Sequence, residues 1–113
     1  MNHKPTVTIG IPCYNEEANI EYLLRSLLAQ NQKTYVLKEI LVISDGSTDQ
    51  TNELVKSVQD KRIKLITNKK RLGLNAAQNV LVEKANGDVL VIVNGDVLID
   101  GNNYVDSLIT PIT

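Results

Sequence analysis

Phenylalanine and tryptophan are missing from this chain, and its 113 residues include one cysteine, one histidine and three prolines. Each scarcity excludes something. Without Phe or Trp the core must be aliphatic, built from Ile, Leu, Val and Ala. A lone cysteine, Cys13, rules out an internal disulfide framework and fits a reducing compartment. The lone histidine, His3, lies in a terminus expected to fray, with no second or third ligand spaced around it for a metal. The longest apolar runs are about five residues, far short of the roughly 20 that span a bilayer. No charged segment followed by an apolar one marks a signal peptide. An excess of one charge is also lacking. The net charge of -1 gives no electrostatic footprint for nucleic acid.

What is present is a globular composition, 42 % hydrophobic and 22 % charged. The length suits a single domain over residues 1–113, one able to bury roughly two-thirds of its unfolded surface. The hydrophobic period alternates along it. Thr6 to Ile11 has the period of a strand, which Pro12 is expected to end. Asn15 reads as a helix N-cap, with Glu16 and Glu17 suiting the positive first turn, and Ile20, Leu23, Leu24, Leu27 and Leu28 as one helical face. Ile40 to Ile43 predicts a second strand. Ser47-Thr48-Asp49-Gln50 has the form of a capping box, opening a helix whose apolar stripe is Leu54, Val55 and Val58. Arg62 to Ile66 predicts a third strand. Leu74 to Lys84 predicts a helix closed by Asn86-Gly87. Val89 to Val93 predicts a uniformly apolar fourth strand. Asn103 to Ile109 predicts a short helix limited by Pro111.

This βαβαβαβ order with short connections predicts an α/β fold. The expected architecture is a Rossmann-like, open, mostly parallel sheet with helices on both faces. The four-strand sheet and the tail Thr110-Pro111-Ile112-Thr113 lead us to expect part of a longer protein. Ligands of such sheets bind beyond the carboxyl ends of the strands. The unusual polar residues fall there: Pro12-Cys13-Tyr14-Asn15-Glu16-Glu17, Ser44-Asp45-Gly46-Ser47-Thr48-Asp49, Thr67 to Gly73, and Asn94-Gly95-Asp96. Each piece also has a purely structural reading, as a helix cap, a turn dipeptide or a solvated basic run. Nucleotide chemistry explains them together. Tyr14 can wall a flat base and Asp45 can accept from its ring N–H. An Asn or Asp suits ribose hydroxyls. Asp96 offers the hard oxygen that Mg²⁺ or Mn²⁺ prefers beside a diphosphate.

These four segments, with Arg71-Leu72-Gly73-Leu74-Asn75-Ala76-Ala77-Gln78-Asn79 as the third, closely resemble the family 2 glycosyltransferases. Those have the GT-A fold and use a nucleotide-diphosphate sugar. Their usual forms are P-x-Y-N-E, D-D-G-S-x-D, a G-x-x-x-A-x-N helix start and D-x-D. The resemblance implies that Pro12 and Tyr14 wall the base, with Glu16 near the nucleotide and Asp45 on the base. It puts Asn94 and Gly95 near ribose and phosphate, and makes Asp96 the metal ligand. Arg71 or Asn75 would meet the diphosphate or sugar. Ser44 and Asn94 each stand where the family has Asp. Gly95 would let backbone approach the ligand closely.

The resemblance further implies transfer of the sugar to an acceptor, with inversion. The acceptor class stays open between a lipid-linked sugar, a polysaccharide and a protein. The general base is expected beyond Thr113. A cytoplasmic location follows, at the membrane's cytoplasmic face if helices follow in a longer protein. Two alternatives remain. A non-catalytic interaction or regulatory domain would keep the fold and lose activity. A sugar nucleotidyltransferase would need a Gly-rich loop after the first strand, where this chain has Pro12-Cys13-Tyr14-Asn15.

Overall fold

The computed structural model describes residues 4–110, so His3 and Pro111 lie outside the described residues. Strands and helices alternate: β1 (Thr6–Cys13), α1 (Ile20–Leu28), β2 (Val36–Asp45), α2 (Thr51–Ser57), β3 (Ile63–Asn68), α3 (Leu74–Lys84), β4 (Val89–Ile92) and α4 (Tyr104–Ile109). The strands form one sheet in the order β3-β2-β1-β4, and every pairing is parallel. The chain therefore steps outward from β1 through β2 to β3, then crosses back to add β4 on the other side of β1. That reversal opens a crevice between the carboxyl ends of β1 and β4, where open α/β sheets take their ligands.

The two-residue period of β1 and β2 divides the core. Val7, Ile9, Ile11 and Cys13 of β1 and Ile40 and Val42 of β2 pack with Ile20, Leu23, Leu24 and Leu27 of α1 and with Val55 of α2. On the other face Leu41 and Ile43 meet Ala77 and Leu81 of α3. Each fully buried Leu or Ile contributes roughly 1.5–3 kcal/mol. Gly10 lies under α3, and a Cβ there would come within 2.9 Å of Leu81 Cδ1, so its bareness seats the helix.

Four local expectations are corrected. Pro12 does not end β1. The strand continues to Cys13, with Pro12 paired to Ile43 of β2. Gly10 O accepts from Val93 N (2.9 Å) and Pro12 O from Gly95 N (3.3 Å), so the missing Pro12 N–H falls on the β4 side. The β1–β4 ladder stops at Gly10–Ile92, and no donor is lost there. β2 is ten residues long, against the expected four, because its first half carries Lys38 and Glu39 and hides the apolar pattern. β4 ends at Ile92, one residue short of the expected Val93, and is a half-buried edge strand with Ile92 39 % exposed.

Asn86-Gly87 does not cap α3 in a left-handed turn; the helix ends at Ala85 in extended backbone. The backbone N–H of Asn86 donates instead to Glu39 Oε2 (2.7 Å), and that of Gly87 to Thr8 Oγ1 (2.9 Å). A Cβ on Gly87 would lie 2.6 Å from Thr8 N, which is backbone and cannot yield cheaply. Gly87→Ala is expected to destabilise the domain by about 1–3 kcal/mol, as overpacking does, read as a lower midpoint in thermal or urea unfolding. An unchanged midpoint would show that the β4 entry relaxes freely.

The segment after β4 is tied back to the far end of α1. Gln30 donates to Gly101 O (2.9 Å) and accepts from Val105 N (3.3 Å). Asp106, 6 % exposed, accepts from Thr34 N (2.9 Å), Thr34 Oγ1 (2.8 Å) and Lys33 N (3.1 Å). Burial alone would raise its pKa, but these donors hold it below the usual carboxylate range.

Candidate functional site

Four loops meet at the carboxyl edge of the sheet. The first two are locked together. Asn15, expected to cap α1, adopts φ 52° and does something else. Its Oδ1 accepts from Thr48 N (2.8 Å) and Asp49 N (3.3 Å), and its own N–H donates to Ser47 Oγ (3.1 Å). Asn tolerates the left-handed region better than most residues, because its short side chain can bond nearby backbone. α1 begins only at Ile20, after a turn in which Glu16 O accepts from Asn19 N and Ile20 N. The capping box is likewise corrected. Ser47 faces Ser44 Oγ (2.8 Å), while Asp49 accepts from Thr51 N (2.9 Å) and Glu17 N (3.2 Å). Ser47 and Asn15 thus bind one loop to the other, and Asp49 does so through Glu17 N while also accepting from Thr51 N at the start of α2.

The third loop is held by Asp45, at the last position of β2 and 5 % exposed. Its Oδ1 accepts from Asn68 Nδ2 (3.0 Å) and Leu72 N (2.9 Å), and its Oδ2 from Gly73 N (2.8 Å). Desolvation would raise this carboxyl's pKa, yet those donors and the Arg71 charge hold it below the ordinary aspartate range. Gly46, at φ 76°, brings its Cα so near that a Cβ would sit 2.6 Å from Arg71 N. So pinned, the loop lays the Arg71 guanidinium 4.0 Å above the centre of the Tyr14 ring, a cation–π pair. Lys69 and Lys70 of the same basic run are exposed and outside the cleft.

The fourth loop, Asn94-Gly95-Asp96, crosses the β1 end. A Cβ on Gly95 would meet Cys13 Cβ at 2.8 Å and Glu16 Cγ at 2.9 Å, so a glycine is needed for that crossing. Glu16 is steadied by Asn19 Nδ2 on its Oε1 (3.2 Å). Together the loops enclose an open cleft of about 280 Å³. Pro12, Tyr14, Glu16, Asp45, Arg71, Asn94, Gly95 and Asp96 all line it. Asn75 does not; it is exposed in the first turn of α3.

Sequence reasoning had not placed Cys13, Leu74 and Ala77 in this wall. The signal for Cys13 was its place between Pro12 and Tyr14. Its thiol is pushed up to about 12 by burial and then by Glu16, Asp49 and Asp45, so it is an inert packing group. Among the described residues no three His, Cys, Asp or Glu side chains converge as a metal cage. Asp96 is exposed at the cleft and takes no part in any ion pair or hydrogen bond of the described residues.

Residues 8–113 match the glycosyl transferase family 2 sequence model. The chain belongs to glycosyltransferase family 2. Among its relatives is the Escherichia coli UDP-Glc:alpha-D-GlcNAc-diphosphoundecaprenol beta-1,3-glucosyltransferase WfgD, 37 % identical over 90 residues, covering 80 % of this chain and 34 % of the relative. The mannosyltransferase PcManGT of Pyrobaculum calidifontis, solved with GDP-Man and Mn²⁺, superposes with a TM-score of 0.78 at 28 % identity, over 91 % of this chain and 31 % of that one. Staphylococcus aureus TarS 1-349, solved with UDP-GlcNAc, gives 0.79 at 29 % identity, over 95 % and 31 %. The fold is thus the GT-A fold of family 2. The chain spans about a third of the length of each of these proteins. No helix among the described residues is long and apolar enough to cross a membrane.

Proposed function

We propose that this chain is the donor-binding part of a glycosyltransferase, gripping a nucleotide-diphosphate sugar with a divalent cation, Mg²⁺ or Mn²⁺. One observation carries the reading. A preorganised cation on an aromatic face, a buried acceptor and an uncommitted carboxylate line a single cleft at the reversal of strand order. The relatives solved with UDP-GlcNAc and with GDP-Man and Mn²⁺ support it.

In this reading Pro12 and Tyr14 wall the base, and Asp45 accepts from it. Arg71 lends positive charge toward the diphosphate, already oriented by the Tyr14 ring, so little rotamer entropy is lost on binding. Asn94 can donate to a sugar hydroxyl. Gly95 keeps the crossing loop flat against Cys13. Asp96 suits the cation: it is a hard oxygen donor, exposed and free of competing partners. One carboxylate suffices where a diphosphate and waters complete the shell. The cation, when bound, supplies Lewis-acid neutralisation of charge on the leaving diphosphate.

In this reading Asp45 serves its loop and the nucleotide's base, Glu16 accepts from Asn19, and Asp96 holds the cation. The base that takes the acceptor hydroxyl's proton is, as the family resemblance implies, another residue outside this cleft. In this reading the sugar is transferred with inversion, as the family resemblance implies.

Titration calorimetry with UDP and GDP, with and without Mn²⁺, tests this reading. Binding of at least one nucleotide, strengthened by Mn²⁺, is expected. Asp96→Ala should remove the Mn²⁺-dependent part, on the order of tenfold or more in Kd, as loss of a charge-assisted contact does. Binding that stays equally Mn²⁺-dependent in the variant would displace Asp96 as the ligand. No binding of either nucleotide would favour a non-catalytic interaction domain.

A further inference from the structure

We propose that the basic loop after β3 and the outer face of α3 form a docking surface for an anionic lipid bilayer. Lys69 and Lys70 would meet the headgroups, and Leu72 and Val82 the acyl boundary. The proposal concerns the outside of the molecule and does not depend on what fills the cleft. Its first observation is a charge asymmetry. Asp60 and Glu83 are consecutive carboxylates along the chain, and the 22 residues between them carry six of the twelve lysines and arginines. Two of the six are neutralised, Arg62 by Asp60 (2.8 Å) and Lys64 by Glu39 (3.1 Å). Lys69 and Lys70 are exposed and form no ion pair among the described residues. A lysine held beside an anionic bilayer strengthens attachment by about fivefold.

The second observation is what lies next to those lysines. Leu72 is 63 % exposed, Leu74 54 % and Val82 67 %. Large apolar residues on a surface are ordinarily scattered singly, and a cluster of them marks an interaction site. On α3, Leu74, Asn75, Gln78, Asn79 and Val82 fall at the spacing of one helical face, and none is charged. The other two long faces in water are charged: α1 carries the Glu21–Arg25 pair, and α2 carries Glu53 and Lys56. The inner face of α3 is packed on the sheet through Ala77 and Leu81, so only the outer face is available and contact with a bilayer would be shallow. Lys69 and Lys70 stand before the helix and Lys84 ends it. Long cationic side chains at both ends can reach headgroups while the uncharged face lies along the interface. Arg71 and Leu74, which line the cleft, belong to the same stretch, so docking would hold the cleft mouth near the lipid surface.

Co-sedimentation of the unaltered chain with vesicles of phosphatidylglycerol, and separately of phosphatidylcholine, tests the proposal. Partition onto phosphatidylglycerol is expected to be stronger by about tenfold or more, and to fall as salt is raised. Equal partition onto both lipids, or onto neither, overturns it. Lys69→Gln with Lys70→Gln should cut the partition by about tenfold or more. Lys38→Gln with Lys56→Gln, two exposed lysines elsewhere on the surface, should leave it nearly unchanged. Equal losses in the two double variants would mean that the vesicles sense net charge alone, and would overturn the patch. Leu72→Ser with Val82→Ser should weaken attachment by roughly tenfold, through lost apolar burial. All six side chains are exposed, so the melting temperatures should not move and a fold defect is distinguishable. If the chain instead dimerises without lipid in analytical ultracentrifugation, and Leu72→Ser with Val82→Ser makes it monomeric, the α3 face is a contact between copies and the proposal fails.

Discussion

Glu39→Ala is expected to remove on the order of 3–4 kcal/mol from a domain whose whole stability is about 5–15 kcal/mol. Glu39 is 2 % exposed in the middle of β2. Its Oε2 accepts from Thr8 Oγ1 (2.8 Å) and Asn86 N (2.7 Å), and its Oε1 from Lys64 Nζ (3.1 Å). Thr8 in turn accepts from Gly87 N, so its hydroxyl must donate to Glu39. Deleting the carboxylate orphans a buried hydroxyl and a backbone N–H together, and both tie α3's exit to β1 and β2. Lys64 is half-exposed and returns to water, so the ion pair itself is a minor part of the loss. Urea unfolding followed by circular dichroism measures the change. A loss under 1 kcal/mol would show that the network is dispensable.

The same carboxylate makes a pH prediction. Burial would raise the Glu39 pKa, but the Asn86, Thr8 and Lys64 donors outweigh it and hold the group below its ordinary value. A depressed carboxyl stabilises fully above the unfolded-state pKa, about 4.3 for glutamate. That contribution is lost as pH falls through the lower folded-state value. Asp45 and Asp106 carry shifts of the same sign, and Asp60, paired with Arg62, is held at about 2. The melting temperature should fall as the pH drops from 5 toward 2, and the Glu39→Ala profile should be shallower than that of the unaltered protein. Parallel profiles would contradict the assignment.

Glu39 also marks where sequence reading stopped. The strand cores, the α3 boundaries and the gathering of polar loops at one sheet edge were legible, because each depends on local period and on the geometry of parallel sheets. Glu39 was not, since a charge within an apolar pattern looks like the end of a strand. Asn15, Ser47 and Asn86 misled for a related reason. Each has the intrinsic preference of a cap, and each was claimed by a partner far along the chain: Asn15 by Thr48, 33 residues on, and Asn86 by Glu39, 47 residues back. A hydrogen bond closed over that distance leaves no trace in a window of a few turns. At the site, the residue types at the strand ends suggested the chemistry. The three donors that occupy Asp45, and the stacking of Arg71 on Tyr14, required the fold.

Arg71 is where those donors matter most. Gly46→Ala should weaken nucleotide binding by roughly ten- to a hundredfold, comparable to loss of a charged contact of about 1.5–3 kcal/mol, although Gly46 carries no side chain to bind with. At φ 76° an alanine is strained by about 1–2 kcal/mol. Its Cβ would also lie 2.6 Å from Arg71 N and 2.9 Å from Lys70 C, both backbone. The 70–73 segment must then move outward, which stretches the Asp45 bonds to Leu72 and Gly73 and lifts the guanidinium from the Tyr14 ring. Arg71→Ala is the control. It should lose a similar factor in binding with little loss of stability, since the guanidinium has no ion pair among the described residues to break. If Gly46→Ala lowers the melting temperature but binds nucleotide as well as the unaltered protein, then the loop's fixed position does not set the affinity. The affinity would have to come from the Asn94-Gly95-Asp96 side of the cleft. If both variants lose binding and only Gly46→Ala loses stability, the pinned loop is what converts the carboxyl end of β2 into a nucleotide site.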